Sequence, residues 1–148
     1  MIIQEFFFYI VGKGKKINRA KIIARQNPQI VFRGQLNHEE LPKIFSKIDF
    51  TIVPSFCYEN SPTVIYESFS FGVPVIASDI GGVAELIEVG KTGFIFAPGD
   101  EEDLLRLMRY VVENKAKVTR MKKNTYRAVS QFSADKYAEK LLNLIESV

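Results

Sequence analysis

The sequence predicts an α/β domain, a Rossmann-like parallel sheet with helices on both faces, from three observations. Short apolar runs alternate with segments of helical periodicity, the order that a parallel sheet with crossover helices requires. The first of these runs is apolar without alternation, as strands buried on both faces are. No internal repeat, low-complexity tract or linker interrupts the 148 residues, so residues 1–148 read as a single domain.

The elements follow in order. Gln4 to Val11 reads as the first strand, and Gly12 and Gly14 turn the chain into a helix from about Lys15 to Arg25. Ile17, Ala20, Ile22 and Ala24 supply that helix's apolar contacts. Ile30 to Arg33 is a short strand ending at Gly34. In "LNHEELPKIFSKI" Asn37 and Glu40 have the spacing of a capping box. Thr51 to Pro54, Val73 to Ala77 and Gly93 to Ala97 are further strands; Ser61 to Phe71 and Val83 to Val89 read as helices. Asp100 caps a helix through about Glu113, and two more helical patterns fill the remainder. In a doubly wound sheet of order 3-2-1-4-5-6 the first strand is central, and here no strand or helix precedes Gln4, so the sheet is expected to lack that strand.

Bulk properties exclude several classes. Hydrophobic residues make up 47% and charged residues 25%, as in an ordinary soluble globular protein. A net charge of +3 is too mild to announce nucleic-acid binding. Phe6 to Val11 is far too short to span a bilayer, and the basic residues of "MIIQEFFFYIVGKGKK" follow the apolar run instead of preceding it as in a signal peptide. The lone Cys57 forms no internal disulfide and suits a reducing cytoplasm.

Chemistry concentrates in "SFCYENSPTVIYESFSFGVPVIAS", where Glu59 and Glu67 are separated by seven residues. Ser61 fits a helix cap and Pro62 the first helical position, where its missing N–H costs nothing. The N–H groups of Thr63, Val64 and Ile65 then point back along the axis, and helix amino ends bind phosphates through such amides and the macrodipole. Thr63, Tyr66, Glu67 and Ser70 share one helical face. A carboxylate on that face can accept hydrogen bonds from a vicinal diol, each contributing about 1.5–3 kcal/mol when charge-assisted. Each of these features also occurs in helices with no ligand at all.

Their concatenation is more specific. "PS" closes a strand, Glu59 and Glu67 follow, then Gly72-Val73-Pro74-Val75, Gly81-Gly82 with Glu85 behind, Gly93 before the last strand and "PGD" after it; "IVGKG" and "IVFRGQLNHEEL" lie upstream. The whole resembles the group 1 (family 4) retaining glycosyltransferases, enzymes of two Rossmann-like domains (the GT-B architecture), and specifically their C-terminal, donor-binding half. The resemblance implies that Glu67 holds the ribose hydroxyls of a nucleotide-sugar and that Glu59 is the catalytic glutamate beside the donor sugar. Amides near Ser61, Thr63 and Val64 would receive the diphosphate or sugar hydroxyls, and the strand end around Phe32 to Gly34 would flank the base. Asn60-Ser61-Pro62 stands where many relatives carry Gly-Phe-Gly, which leaves the sugar open.

The implied reaction transfers a sugar from a nucleoside diphosphate to an acceptor hydroxyl, in cell-surface polysaccharide or glycolipid synthesis. Aligned amides would stabilise the charge gathering on the leaving diphosphate. No cofactor or divalent metal is expected, and no Asp-x-Asp occurs in the chain. Family members carry an Arg and a Lys ahead of the "IVGKG" strand, and an N-terminal acceptor domain; Lys13, Lys15 and Lys16 do not match that pair. The chain alone is therefore expected to be inactive, with a separate N-terminal half or a second copy as partner. The alternative is a non-catalytic nucleotide-sugar-binding or interaction module, or the remnant of a transferase.

Other signals are weaker. "GKGKKI" has Ile17 where a dinucleotide fingerprint needs glycine. His38 has no ligand cluster around it, and Cys57 has no histidine base within sequence reach. The tract "NKAKVTRMKKNTYR", residues 114–127, holds six cations and no acid, which fits a solvated face or contact with anionic lipid. The expected location is the cytoplasm, with contact at the inner face of the membrane as an option within it.

Overall fold

The computed structural model describes residues 6–25 and 27–147. It comprises two compact units, Met1–Ile44 and Phe45–Val148, each described by itself.

In the first unit β1 (Phe8–Val11) and β2 (Ile30–Gly34) pair in parallel through the crossover helix α1 (Ile17–Ala24). Of the strand read from the sequence, Gln4 and Glu5 lie outside the described residues. The expectation that this strand is buried on both faces is corrected: Phe8, Tyr9 and Ile10 are half-buried and Val11 is exposed. The cause is positional, because β1 belongs to a two-stranded sheet whose edges cover less than the middle of a wider one. In α1, Ala24 is buried, while Ile22, expected among the inward residues, faces solvent with Ile23. The Asn37–Glu40 box forms as read: the Glu40 carboxylate accepts the Asn37 backbone N–H at 2.9 Å. It opens a 3-10 turn that leads into α2 (Leu41–Phe45).

The second unit carries β3 (Thr51–Val53), β4 (Val75–Ser78) and β5 (Gly93–Phe96), parallel and in the order β3-β4-β5. Helix α3 (Thr63–Ser70) links β3 to β4, and α4 (Val83–Leu86) links β4 to β5. Then come α5 (Glu101–Glu113), α6 (Lys115–Val129), a 3-10 turn over Ser130–Phe132 and α7 (Ala134–Glu146). Every residue of β4 is buried, and strand alternation sends its side chains to both faces. On one face Val75 and Ala77 pack with Ile65 and Phe69 of α3 and with Val83 and Ile87. On the other, Ile76 joins Phe94, Phe96, Leu107 of α5 and Met121 of α6. Helices thus cover both faces of this sheet, as the sequence predicts.

Three boundaries move for identifiable reasons. Strand β4 starts at Val75 instead of Val73, because the Val73 N–H goes to the Ser68 carbonyl at 2.9 Å. Helix α4 stops at Leu86, since a tight turn follows in which the Thr92 hydroxyl accepts the Glu88 N–H at 2.9 Å. Helix α3 begins at Thr63, with Pro62 in the cap position in an extended conformation; Ser61 is therefore not the cap. The Asp100 cap forms as read, its carboxylate accepting the Asp103 N–H at 2.9 Å.

The two core clusters set the cost of truncation. Phe69 is 0% exposed, and removing a buried aromatic ring costs about 3–5 kcal/mol. Phe69→Ala should lower the urea unfolding midpoint by that equivalent, whereas Asp100→Ala, which removes one cap, should cost only about 1 kcal/mol. Equal midpoints for the two variants would contradict this division of the core.

Candidate functional site

The candidate site lies in the second unit, where the chain leaves β3, crosses residues 54–62 and enters α3. Two contacts from the end of β4 fix the backbone of that crossing. The first is the buried Ser78 hydroxyl, which lies 2.6 Å from the Ser55 carbonyl and 3.3 Å from the Val53 carbonyl. The second is the Gly81-Gly82 turn. The Gly82 N–H donates to the Glu59 carbonyl at 3.0 Å. A Cβ on Gly81 would overlap the Glu59 carbonyl oxygen, and one on Gly82 would overlap that of Asn60. Gly81 also has φ +60°, a left-handed conformation that glycine adopts without steric cost. Two bare residues thus let the backbone bearing Glu59 rest against the end of β4.

The side chain of Glu59 is exposed, with Oε1 3.4 Å from the Ser55 hydroxyl. Ser61 is exposed and its Oγ lies 2.5 Å from the Tyr66 hydroxyl. Thr63 and Val64 open α3; among the described residues their N–H groups have no protein acceptor. The Ile65 N–H, expected to be free, is taken by the Pro62 carbonyl at 3.1 Å. Glu67 is half-buried one turn further on, and its carboxylate has no hydrogen-bond or ion-pair partner among the described residues. The shared face is unevenly exposed: Thr63 and Ser70 are exposed and Glu67 is half-buried, while the Tyr66 ring meets Phe132 edge-on.

One loop-and-helix segment therefore carries Glu59, Ser61, Thr63, Val64 and Glu67. Phe32 and Gly34 belong to the first unit, where Phe32 is half-buried with the Lys21 ammonium 6.0 Å from its ring centre, and Gly34 closes β2 at φ +68°. A hollow of about 420 Å³ elsewhere is lined by Gly90, Lys117, Arg120, Met121 and Asn124, none of them a residue singled out for donor binding. Sequence reading missed the roles of Ser78, Tyr66 and Phe132. It noted the Gly81-Gly82 pair as a motif without seeing that the pair seats Glu59. Two adjacent glycines directly after a strand were the available signal for a close backbone approach.

Residues 2–128 match the family model for "Glycosyl transferases group 1". The chain belongs to this family. It is 36% identical over 88 residues to the sulfoquinovosyl transferase SQD2 of Arabidopsis thaliana, covering 57% of this chain and 17% of that one. It is 27% identical over 118 residues to a 2-deoxystreptamine glucosyltransferase of Streptomyces kanamyceticus, covering 78% of this chain and 30% of that one. The group 1 chain thus spans less than a third of the length of either relative. Among solved structures, the Anabaena Alr3699/HepE complex with UDP-glucose superposes with a TM-score of 0.79 at 22% identity, over 96% of this chain and 41% of that one. A sucrose-phosphate synthase from Thermosynechococcus elongatus gives 0.80 at 25% identity, over 94% and 37%. These neighbours are GT-B glycosyltransferases, and the described fold has the size of their C-terminal domain.

The glycine seat yields a direct test in this glycosyltransferase domain. Gly82→Ala forces its methyl group against the Asn60 carbonyl, an overpacking that costs about 1–3 kcal/mol. Its expected signature is strongest locally: amide hydrogen exchange should quicken more across residues 55–62 than in β4, where it follows only the global loss of stability. Unchanged exchange in the loop would show that the glycines do not hold it.

Proposed function

We propose that this domain binds a nucleoside diphosphate sugar and supplies the donor side of sugar transfer to an acceptor hydroxyl. The observation that carries the reading is the half-buried Glu67 carboxylate, without a protein partner among the described residues, one turn from the unpaired Thr63 and Val64 amides. Four residues of helix span about 6 Å, so one ligand presenting both a diol and a diphosphate can reach both groups. In this reading Glu67 accepts from the ribose hydroxyls, and the amides of Thr63 and Val64 with Ser61 receive the diphosphate or sugar hydroxyls. Glu59 stands beside the donor sugar as the catalytic carboxylate. Charge developing on the leaving diphosphate is met by amides aligned beforehand, with no divalent metal or cofactor. A solved neighbour of the same fold holding UDP-glucose supports the choice of ligand class.

Acceptor binding is assigned to polypeptide outside these 148 residues, either a separate acceptor half or a second copy. The domain by itself then binds donor without turning it over. Cell-surface polysaccharide or glycolipid synthesis in the cytoplasm fits this assignment. Among the described residues no helix is long and apolar enough to cross a membrane. Contact with the inner membrane face would fall to the exposed cations Lys115, Arg120, Lys123 and Arg127 of α6, through attraction to anionic headgroups. The second reading, a nucleotide-sugar-binding module without chemistry, shares every step up to transfer.

Calorimetric titration with UDP, GDP and their glucose conjugates should show saturable binding, unchanged by EDTA. Glu67→Ala should weaken it by at least about tenfold, the loss of a charge-assisted hydrogen bond. Glu59→Ala should leave nucleotide affinity within about twofold, yet abolish transfer once an acceptor half is added. No saturable binding of any of these ligands would refute the proposal.

A further inference from the structure

The α3 amino end carries a pair of hydroxyls, on Ser61 and Tyr66, of which the reading above uses only the first. A helical side chain leans toward its helix's amino end, so Tyr66, in the first turn of α3, reaches back over the turn that precedes it. Its hydroxyl lies 2.5 Å from Ser61 Oγ, a short hydrogen bond for two hydroxyl groups. The ring also meets Phe132 in the 3-10 turn after α6, with centroids 5.0 Å apart and planes at 78°. Such edge-to-face contacts fix ring orientation. Phe132 is itself 45% exposed, so its packing on Tyr66 is not that of an ordinary core residue.

The proton count gives the pair a chemical meaning. Two hydroxyl groups hold two protons, and their mutual bond uses one. One O–H is left to donate, from a pair whose Tyr66 ring meets Phe132 and whose Ser61 lies two residues ahead of the helix start at Thr63. A lone Ser61 would be a free rotor and would lose that freedom on binding.

We propose that Tyr66 is a positioning residue for the donor: backed by Phe132, it locks the Ser61 hydroxyl so that the pair offers one preoriented O–H to an oxygen of the bound nucleotide-sugar. This rests on the donor reading of the same site and adds to it a residue between the two glutamates, together with a support from a distant turn.

The test is a double-mutant cycle of Tyr66→Phe and Ser61→Ala, titrated with UDP and with UDP-glucose. Tyr66→Phe keeps the ring on Phe132 and removes only the hydroxyl. It should weaken UDP-glucose binding about three- to tenfold, Ser61→Ala should do the same, and the double variant should be no worse than either single one. Loss with both ligands assigns the O–H to the diphosphate; loss with UDP-glucose alone assigns it to the sugar. Phe132→Leu should reproduce part of the loss, with the melting temperature of Tyr66→Phe close to that of the parent. Additive losses, or an unchanged affinity in Tyr66→Phe, would overturn the proposal. Amide exchange over residues 58–63 without ligand separates the two ideas. If the parent binds no nucleotide but Tyr66→Phe quickens exchange there, the donor reading falls and the Tyr66–Ser61 lock stands; unchanged exchange together with unchanged affinity removes the lock alone.

Discussion

Where the chain crosses from β3 to α3, its backbone rests on the backbone of Gly81 and Gly82, with no side chain between. The Gly82 N–H holds the Glu59 carbonyl, and any β-carbon on either glycine would push the crossing away. The buried Ser78 hydroxyl fastens the same crossing one step earlier, at Ser55. Because hydrogen-bonded backbone has little room to yield, the course of residues 55–60 is dictated by the end of β4. The start of α3, and with it the orientation of its amides, inherits that placement.

The sheet makes the contact dependable. β4 is the middle strand of its three-stranded sheet and is buried on both faces, between α3 on one side and α5 and α6 on the other. Its carboxyl end can therefore serve as a fixed post, in keeping with the general placement of ligand crevices at the carboxyl ends of strands in open α/β sheets. A partly buried hydroxyl chain adds to this rigidity: Thr51 Oγ1 lies 2.7 Å from Ser68 Oγ, and Ser68 donates to the Val73 carbonyl at 2.8 Å. That chain ties β3, α3 and the entry to β4 together beneath the loop.

The sequence disclosed the element order and the carboxylate segment because both are written locally, in apolar runs, in turn residues and in the spacing of Glu59 and Glu67. The Asp100 cap and the Asn37–Glu40 box were legible for the same reason, since three residues decide them. Matters settled by distant partners were not legible. Ser61 looked like a cap because serine before proline usually is one, yet its hydroxyl turned to Tyr66, which Phe132 holds from 66 positions further along. The burial of β1 was overestimated, because composition reports what a strand could bury and not how many neighbours its sheet provides. Gly81-Gly82 could be seen as a motif, but what the glycines touch depends on a loop 22 residues earlier.

The contacts of the crossing with the end of β4 are made by its main chain, while four of its side chains stand clear: Phe56 is 73% exposed and Tyr58 87%, with Cys57 and Asn60 also exposed. Substitutions at these positions leave the carbonyl contacts to Gly82 and Ser78 intact. A lineage can therefore rewrite the rim around the first glutamate without disturbing the fold beneath it, and a single frame can be adapted by descent to different ligands.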